Sequence, residues 1–234
     1  MTSREQDARN PATITAMFGA VARRYDFANH VLSCGCDFYW RKRAADMVAA
    51  WRPQKILDLA TGTGDLAIVL QNRILNTEIT GADFSEEMLA IAREKGLKNT
   101  ILADLLALPF ASGSFDSVTI AFGLRNVQDW SKALREIARV LCRQGRLLIL
   151  DFSLPRSATL RAVYRLYLHH CLPFVAAALT GKKSAYDYLA DSIEKFPGGD
   201  MMLSLIETNG FTDARAEPLT GGIVTIYTAA RSLN

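Results

Sequence analysis

The stretch that most constrains this chain runs from Ile56 to Ala67 and reads ILDLATGTGDLA. An apolar run of strand-forming residues breaks on two glycines, Gly62 and Gly64, and continues into apolar residues at helical spacing. This order predicts a strand, a tight turn and the start of a helix. Because glycine has no Cβ, the turn can adopt positive φ, and a ligand can lie against bare backbone beside the unpaired N–H groups of the helix. The stretch therefore predicts a site for a nucleotide-like ligand.

Segments with strand and helix patterns alternate after this turn. Including the first strand and a pair near the C-terminus, the predicted strands are seven: 56–59, 78–84, 100–103, 115–122, 147–152, 215–218 and 223–229. An amphipathic helix is predicted over 129–140, with Gly145 as its stop signal. Such alternation predicts an α/β fold with a mostly parallel sheet and helices on both faces. The last two strands lie close enough in sequence to form an antiparallel hairpin at the sheet edge.

Composition excludes several classes of protein. The chain has 234 residues, of which 50% are hydrophobic and 22% charged, so it can bury a core and is not disordered as a whole. Its net charge of +3 is too small to indicate nucleic-acid binding. Cys34 and Cys36 have no second Cys or His pair at zinc spacing, so we expect free thiols and no metal site. We find neither a signal peptide nor a run of about 20 apolar residues, and we expect a cytoplasmic protein.

Acidic residues narrow the choice of ligand. Asp58 precedes the glycines and Asp65 follows them; two carboxylates oppose a pyrophosphate but suit a cationic amino group or a sulfonium. Asp83 follows about twenty residues later, at the end of the second strand, where it would hold ribose hydroxyls. Asp104, at the end of the third strand, is placed to accept a hydrogen bond from an adenine amino group. A cationic end, a ribose and an adenine together indicate S-adenosylmethionine.

The same motifs resemble those of a known family. Residues 57–65 look like motif I of the class I S-adenosylmethionine-dependent methyltransferases, and residues 81–89 look like their second motif. More narrowly, roughly residues 12–230 resemble the UbiE-type ubiquinone/menaquinone C-methyltransferases. The runs that carry this resemblance are Tyr25–Asn29, Trp40-Arg41, Ala107–Phe110, Phe122–Val127, Arg139–Leu141, Tyr186–Ile193 and Leu219–Val224. The chain departs from the family at Asp37-Phe38, where His-Arg is usual, and at Ala121, which is often Ser; the first departure concerns the ring substrate more than the cofactor.

The resemblance implies a Rossmann-like class I methyltransferase fold with S-adenosylmethionine as cofactor. It implies one domain over 1–234, with an N-terminal helical lid (12–52), a cofactor-binding core (53–153), a helical substrate cap (156–200) inserted after strand five, and the end of the sheet (201–234). Spacing and resemblance together nominate nine cofactor-binding residues: Asp58, Gly62, Thr63, Gly64, Asp83, Phe84, Asp104, Leu105 and Ala121.

The reaction that the resemblance implies is methyl transfer to a ring carbon of a polyprenylated hydroquinone. The expected acceptor is demethylmenaquinol, and 2-methoxy-6-polyprenyl-benzoquinol of ubiquinone biosynthesis is the alternative. Because the sulfonium methyl is already activated, the protein must chiefly position the ring and stabilise its phenolate. Arg125 is the candidate cation, with a structural ion pair as its alternative role, and Asn126 is the candidate to hold a ring oxygen. Five residues are candidates for substrate binding: Tyr25, Asn29, His169, Tyr186 and Tyr188.

The region between Ala158 and Gly199 is apolar with basic flanks, which suits a helical cap that draws a prenyl tail from a membrane. The expected partners are therefore the quinol and, transiently, the inner face of the membrane; whether the protein forms a homodimer is left open. Two other classes stay as alternatives. A nicotinamide-dependent oxidoreductase predicts protection by NADH against unfolding. A non-catalytic lipid-binding scaffold predicts that Arg125→Ala leaves quinone biosynthesis intact.

Overall fold

The strand that precedes the glycine turn is an inner strand of a seven-stranded sheet, third from one edge. The computed structural model describes residues 30, 32–172 and 184–232, and for residues 184–187 it describes the backbone alone. The strands are β1 (Lys55–Leu59), β2 (Glu78–Asp83), β3 (Asn99–Leu102), β4 (Phe115–Ala121), β5 (Leu141–Phe152), β6 (Phe211–Leu219) and β7 (Val224–Arg231). Their order in the sheet is β3-β2-β1-β4-β5-β7-β6.

The sheet is mostly parallel, as predicted. β1 pairs in parallel with β2 and β4, β2 with β3, and β4 with β5, whereas β7 runs antiparallel to both β5 and β6. The C-terminal hairpin at the sheet edge is thereby confirmed. Between β1 and β4 the strand order reverses, and such a switch point leaves a crevice at the carboxyl ends of the strands. In this crevice the register places Asp58 beside Gly81 on one side and Thr119 on the other.

Helices cover both faces of the sheet. The α-helices are α1 (Cys36–Trp51), α2 (Asp65–Arg73), α3 (Glu86–Glu94), α4 (Trp130–Val140), α5 (Ala158–Leu166), α6 (Ser184–Lys195) and α7 (Asp200–Glu207). Their starts follow local chemistry: the Ser85 hydroxyl accepts a hydrogen bond from the Met88 N–H, and Asp129 accepts one from the Lys132 N–H. Two apolar clusters, one on each face, fill the space between helices and sheet. A third, smaller cluster lies under α5 and α6.

Two strands begin earlier than predicted, β5 at Leu141 and β6 at Phe211, and one predicted stop signal is wrong. Gly145 does not stop α4, because the helix ends at Val140 and the chain enters β5 directly at Leu141. Leu141 is fully buried opposite Phe115, so tertiary pairing begins the strand earlier than its apolar run suggests. Gly145 lies at the irregularity that follows, where a Cβ would come 2.9 Å from the Cys142 carbonyl oxygen.

Most of the first 31 residues lie outside the part of the chain that the structure describes. The first part of the predicted N-terminal helical lid (12–52), including the run Tyr25–Asn29, lies outside the described residues. In the part of the chain that the structure describes, no helix is both long enough and apolar enough to cross a membrane.

Candidate active site

A cavity of about 730 Å³ opens at the carboxyl ends of β1 and β4. Its walls come from the glycine turn, the ends of the central strands, the start of α1, and the residues of α5, α6 and the π-helical turn Tyr167–Cys171. Small-molecule sites have volumes of roughly 300–1,000 Å³, so this one is large enough for a nucleoside and a second ring together.

The two glycines of the turn have different positions. Both have positive φ, +55° at Gly62 and +84° at Gly64, a conformation that favours glycine. Gly62 lines the cavity. Gly64 does not: a Cβ there would come 3.1 Å from the Cβ of Ala92, so this glycine allows the turn to approach α3 closely.

Asp58 forms the floor of the cavity and is almost fully buried. Its carboxylate accepts hydrogen bonds of 2.6 Å from each of the Thr61 and Thr119 hydroxyls. Burial raises the pKa of Asp58 to about 6, against the opposing effect of these two bonds and of the Arg41 charge. The group is therefore mainly ionised at neutral pH, which suits a cationic ligand atom.

The negative charge of Asp65 is offset by two neighbouring cations, which the sequence analysis did not foresee. Its carboxylate pairs with Lys95 Nζ at 2.8 Å and with Arg41 Nη2 at 3.2 Å. The argument from two carboxylates therefore overcounted the negative charge at the turn. Lys95 Nζ also donates a hydrogen bond of 3.1 Å to the hydroxyl of Thr63, which lines the cavity.

Arg41 lines the cavity, and its ion pairs with two carboxylates were not predicted from the sequence. Besides Asp65, it pairs with the buried Asp37, and its Cζ lies 5.5 Å from the centre of the Phe122 ring. Asp37 accepts further hydrogen bonds from Ser33 Oγ at 2.8 Å and His30 Nδ1 at 2.6 Å. Burial opposes its ionisation, but these bonds and the Arg41 charge hold the pKa of Asp37 below its usual value.

The other cofactor candidates line the same half of the cavity. Asp83 is buried, and its carboxylate accepts backbone N–H bonds of 2.8 Å from Gly62 and 3.0 Å from Ser85. Burial raises its pKa. Asp104 is exposed at the rim, where it accepts a bond of 2.9 Å from the Leu106 N–H. The remaining cavity-lining members of the set are Thr63, Phe84, Leu105 and Ala121. Eight of the nine cofactor candidates are thus brought to one wall, with Gly64 behind it.

Arg125 also lines the cavity and is in the ion pair considered as its alternative role. Its Nη1 lies 2.8 Å from Asp151 Oδ1 and also donates to the Phe122 carbonyl oxygen. Its Cζ lies 5.2 Å from the centre of the Phe152 ring. Arg125 is buried yet lines the cavity, so the ion pair and a surface toward a ligand are present together. The sequence offered one overlooked signal for Asp151, an acid within the apolar run of β5.

The substrate candidates divide. Tyr188 lines the cavity and its hydroxyl donates a 3.3 Å hydrogen bond to Asn126 Oδ1, so these two residues are brought together. His169 is exposed, does not line the cavity and lies 3.4 Å from Glu194. Tyr186 belongs to α6, but its side chain lies outside the described part of the chain. Tyr25 and Asn29 lie outside it altogether.

The cap contributes wall residues that the list of candidates left out. They are Leu160, Val163, Tyr164, Tyr167, Leu168, Leu172, Leu189 and Ile193. Most of them are apolar, so this end of the cavity suits a hydrophobic ligand. Within the described ranges, no cluster of three His, Cys, Asp or Glu side chains is arranged to hold a metal ion.

Comparison with known proteins gives a consistent result. The model of the ubiE/COQ5 methyltransferase family matches residues 3–231. Demethylmenaquinone methyltransferase of Thermus thermophilus is 47% identical, over 92% of this chain and 100% of that protein. The enzyme of the same name from Deinococcus radiodurans is 42% identical, over 92% and 90% of the two chains. Ubiquinone/menaquinone biosynthesis C-methyltransferase UbiE of Geotalea uraniireducens is 41% identical, over 92% and 94%.

Solved structures support the fold. A SAM-dependent methyltransferase from Thermotoga maritima superposes with a TM-score of 0.67 at 18% identity, over 93% of this chain and 99% of that one. Human N-acetylserotonin methyltransferase in complex with SAM gives a TM-score of 0.63 at 18% identity, over 94% and 59%. The Rossmann-like class I methyltransferase fold implied by the sequence is therefore confirmed.

Proposed function

The chain belongs to the ubiE/COQ5 methyltransferase family, and from this premise we propose that it methylates a ring carbon of demethylmenaquinol. The observation that carries the proposal is that one cavity is lined both by a cofactor-type wall, at the ends of β1, β2 and β4, and by an apolar cap with Arg125 and Asn126. The names of the relatives from Thermus and Deinococcus support this acceptor over the benzoquinol.

The chemistry of the cofactor-type wall fits S-adenosylmethionine, which supplies an activated methyl group when bound. Gly62 presents backbone without a side chain in the way, and Asp83 beside it has the position of a ribose ligand. Asp58 is a buried carboxylate suited to the cationic methionine end. Thr63 and Arg41 offer a hydroxyl and a cation for the carboxylate of that end, and Asp104 with Leu105 would receive the adenine at the rim.

The apolar cap, together with Arg125 and Asn126, would hold the hydroquinone. Methyl transfer requires the ring carbon to be electron-rich, and it becomes so when a neighbouring ring hydroxyl loses its proton. Arg125 would stabilise the resulting phenolate, and Asn126, oriented by Tyr188, would hold a ring oxygen. The ring carbon would bind the methyl carbon with its electron pair as the methyl–sulfur bond breaks, and the electrons of that bond would stay on sulfur, so that neutral S-adenosylhomocysteine leaves. The proton on the ring carbon would then pass to water, which restores the aromatic ring. The apolar cap would accept the first part of the prenyl tail and exclude water from the cationic methyl donor.

The tail must reach the cavity from a membrane, which leads to a second part of the proposal. Val163 and Leu166 on α5 are each 59% exposed, and the Arg156 side chain just before this helix is 82% exposed. An apolar helix edge with nearby basic charge suits a surface of anionic lipid. We therefore propose that the protein acts from the cytoplasm, in transient contact with the inner membrane face. Val163→Asp/Leu166→Asp should reduce cosedimentation with anionic vesicles, whereas Leu75→Asp, on a distant and 81% exposed residue, should not.

Mass spectrometry of quinones from cells that lack this protein tests the acceptor. The proposal predicts accumulation of a desmethyl naphthoquinone, reversed by the wild-type gene. Accumulation of a desmethyl benzoquinone instead would establish the alternative acceptor. An unchanged quinone pool would contradict quinone methylation altogether.

A further inference from the structure

Tyr164 is a polar residue in an apolar part of the cavity wall. Its side chain is 6% exposed and lies in the small cluster of the cap, with Leu168, Leu172, Ala190 and Ile193. It also lines the cavity, so the little surface that remains faces the ligand space. A phenylalanine would satisfy the packing here, so packing does not account for the hydroxyl.

No hydrogen bond to the Tyr164 hydroxyl is present among the described residues, whereas its neighbour Tyr167 uses its own. The two rings are stacked with centroids 6.4 Å apart. The Tyr167 hydroxyl donates a 2.8 Å bond to the Leu32 carbonyl oxygen and so ties the cap to the segment before α1. The Tyr164 hydroxyl is not one of the fully enclosed polar atoms without a partner, so it keeps some surface in the cavity that its residue lines. A ligand oxygen can take the place of water as its hydrogen-bond partner there.

The charges near Tyr164 connect it to the phenolate-stabilising end of the cavity. The groups that act on it are Tyr167 from the cap, Arg125 from the turn after β4, and Asp151 from β5. Burial raises the pKa of Tyr164 far above its ordinary value; Tyr167 and Asp151 act in the same direction, and Arg125 opposes them. The hydroxyl thus keeps its proton over the whole working range of pH and can act as a donor.

We propose that the Tyr164 hydroxyl donates a hydrogen bond to the ring oxygen of the hydroquinone that becomes the phenolate. This assignment rests on the proposed function. Arg125 would then supply the positive charge and Tyr164 the directional donor to the same oxygen. A donor of this kind contributes more as negative charge develops on its acceptor, so it favours the transition state over the bound neutral quinol.

Tyr164→Phe tests the assignment, with Tyr167→Phe as the matched variant. Both remove one hydroxyl from stacked rings of the same cap. We expect Tyr164→Phe to lower kcat for demethylmenaquinol roughly 10–100-fold, the range for a hydrogen bond to a charged group, with a much smaller change in KM. The rising limb of the pH–rate profile should move upward by about one unit, because the bound quinol loses a donor that favours its ionised form. Tyr167 also lines the cavity, so its variant is compared by the position of this limb and not by kcat. Tyr167→Phe should lower the melting temperature through loss of the bond to the Leu32 carbonyl oxygen, and the limb should stay at its wild-type position because that hydroxyl is already occupied.

The outcomes separate the assignment from the function beneath it. If wild-type protein methylates the quinol while Tyr164→Phe keeps its kcat and its pH profile, the assignment to Tyr164 is refuted and the proposed function stands. If Tyr167→Phe shows the same shift of the pH profile, the effect belongs to the cap as a whole and the assignment is refuted. If wild-type protein methylates no quinol, the proposed function fails and the assignment fails with it.

Discussion

Replacing Asp151 by Asn separates the structural role of Arg125 from its chemical one. Asp151 is fully buried, and the Arg125 side chain beside it is 3% exposed. The carboxylate accepts from Arg125 Nη1 at 2.8 Å and from the Arg125 backbone N–H at 3.3 Å. Asparagine has nearly the same shape but no charge, so Asp151→Asn removes the counter-ion and leaves the packing almost unchanged.

The expected cost follows from the burial of the pair. Removing one partner of a buried ion pair typically costs about 3–5 kcal/mol, because a charge is left in a medium of low polarity. For a chain of this length we expect a fall in melting temperature of about 10 °C or more. Arg125→Met should cost a similar amount through the buried carboxylate. The double variant buries neither charge, so it should be more stable than the sum of the single effects predicts, by roughly 1–3 kcal/mol.

Urea unfolding of the four proteins measures this coupling, and methyl transfer by the same four measures the chemistry. We expect the double variant to recover stability but not activity, because the cation that would stabilise the phenolate is still missing. Strictly additive free energies would refute the account of the buried pair. Restored methyl transfer in the double variant would refute the chemical role of Arg125.

Three further changes test other parts of the site. Since burial raises the pKa of Asp58 to about 6, this carboxylate binds a proton more tightly in the folded apo protein than in the unfolded chain. Its own contribution to the free energy of unfolding should therefore rise as pH falls from about 6 to about 4, by up to ~3 kcal/mol. Burial also raises the pKa of Asp83 and of Asp151, so urea titrations of Asp58→Asn should show a rise that is smaller than that of wild type by this amount. Gly64→Ala should lower the free energy of unfolding by about 1–3 kcal/mol, because alanine is strained at positive φ and its Cβ would contact Ala92. Gly62→Ala should destabilise the protein less but weaken the binding of S-adenosylmethionine more, as measured by calorimetry. A larger loss of stability at Gly62 and a larger loss of affinity at Gly64 would contradict the positions of the two glycines. His169→Ala should leave kcat and KM within about twofold of wild type, since the side chain lies on the surface, and a large loss would return it to the substrate site.

The part of the fold that sequence reasoning predicted best is local and repetitive. Apolar alternation and two glycines located β1, the turn and α2, because strand, tight turn and helix start each have their own chemistry within a few residues. The acids at strand ends, Asp58 and Asp83, were placed correctly in the cavity wall, since parallel strands bring their carboxyl ends to one edge.

What sequence could not supply is the pairing of distant charges. Asp65 and Asp37 look like independent carboxylates in the sequence, but Arg41 lies between them and offsets both. Arg125 and Asp151 are separated by 26 positions along the chain and meet only because β4 and β5 are neighbours in the sheet. Charge in a site depends on such neighbours, and no short-range pattern records them.

The cap shows the same limit in another form. Its apolar content indicated a hydrophobic site, but helical spacing alone could not tell which side chains face the cavity. His169 was expected inside and lies on the surface, whereas Tyr164, which was not among the candidates, lies in the wall. The packing of α5 and the π-helical turn against β5 and α6 decides this orientation.

The central claim is that one cavity brings S-adenosylmethionine and a naphthoquinol together for transfer to carbon. The most direct test incubates purified protein with S-adenosylmethionine carrying a deuterated methyl group, together with demethylmenaquinol and the benzoquinol in competition. Mass spectrometry of the extracted quinones should find the label on the naphthoquinone ring carbon, and Arg125→Met should abolish it. Label on the benzoquinone alone, on an oxygen atom, or on neither quinone would contradict the account.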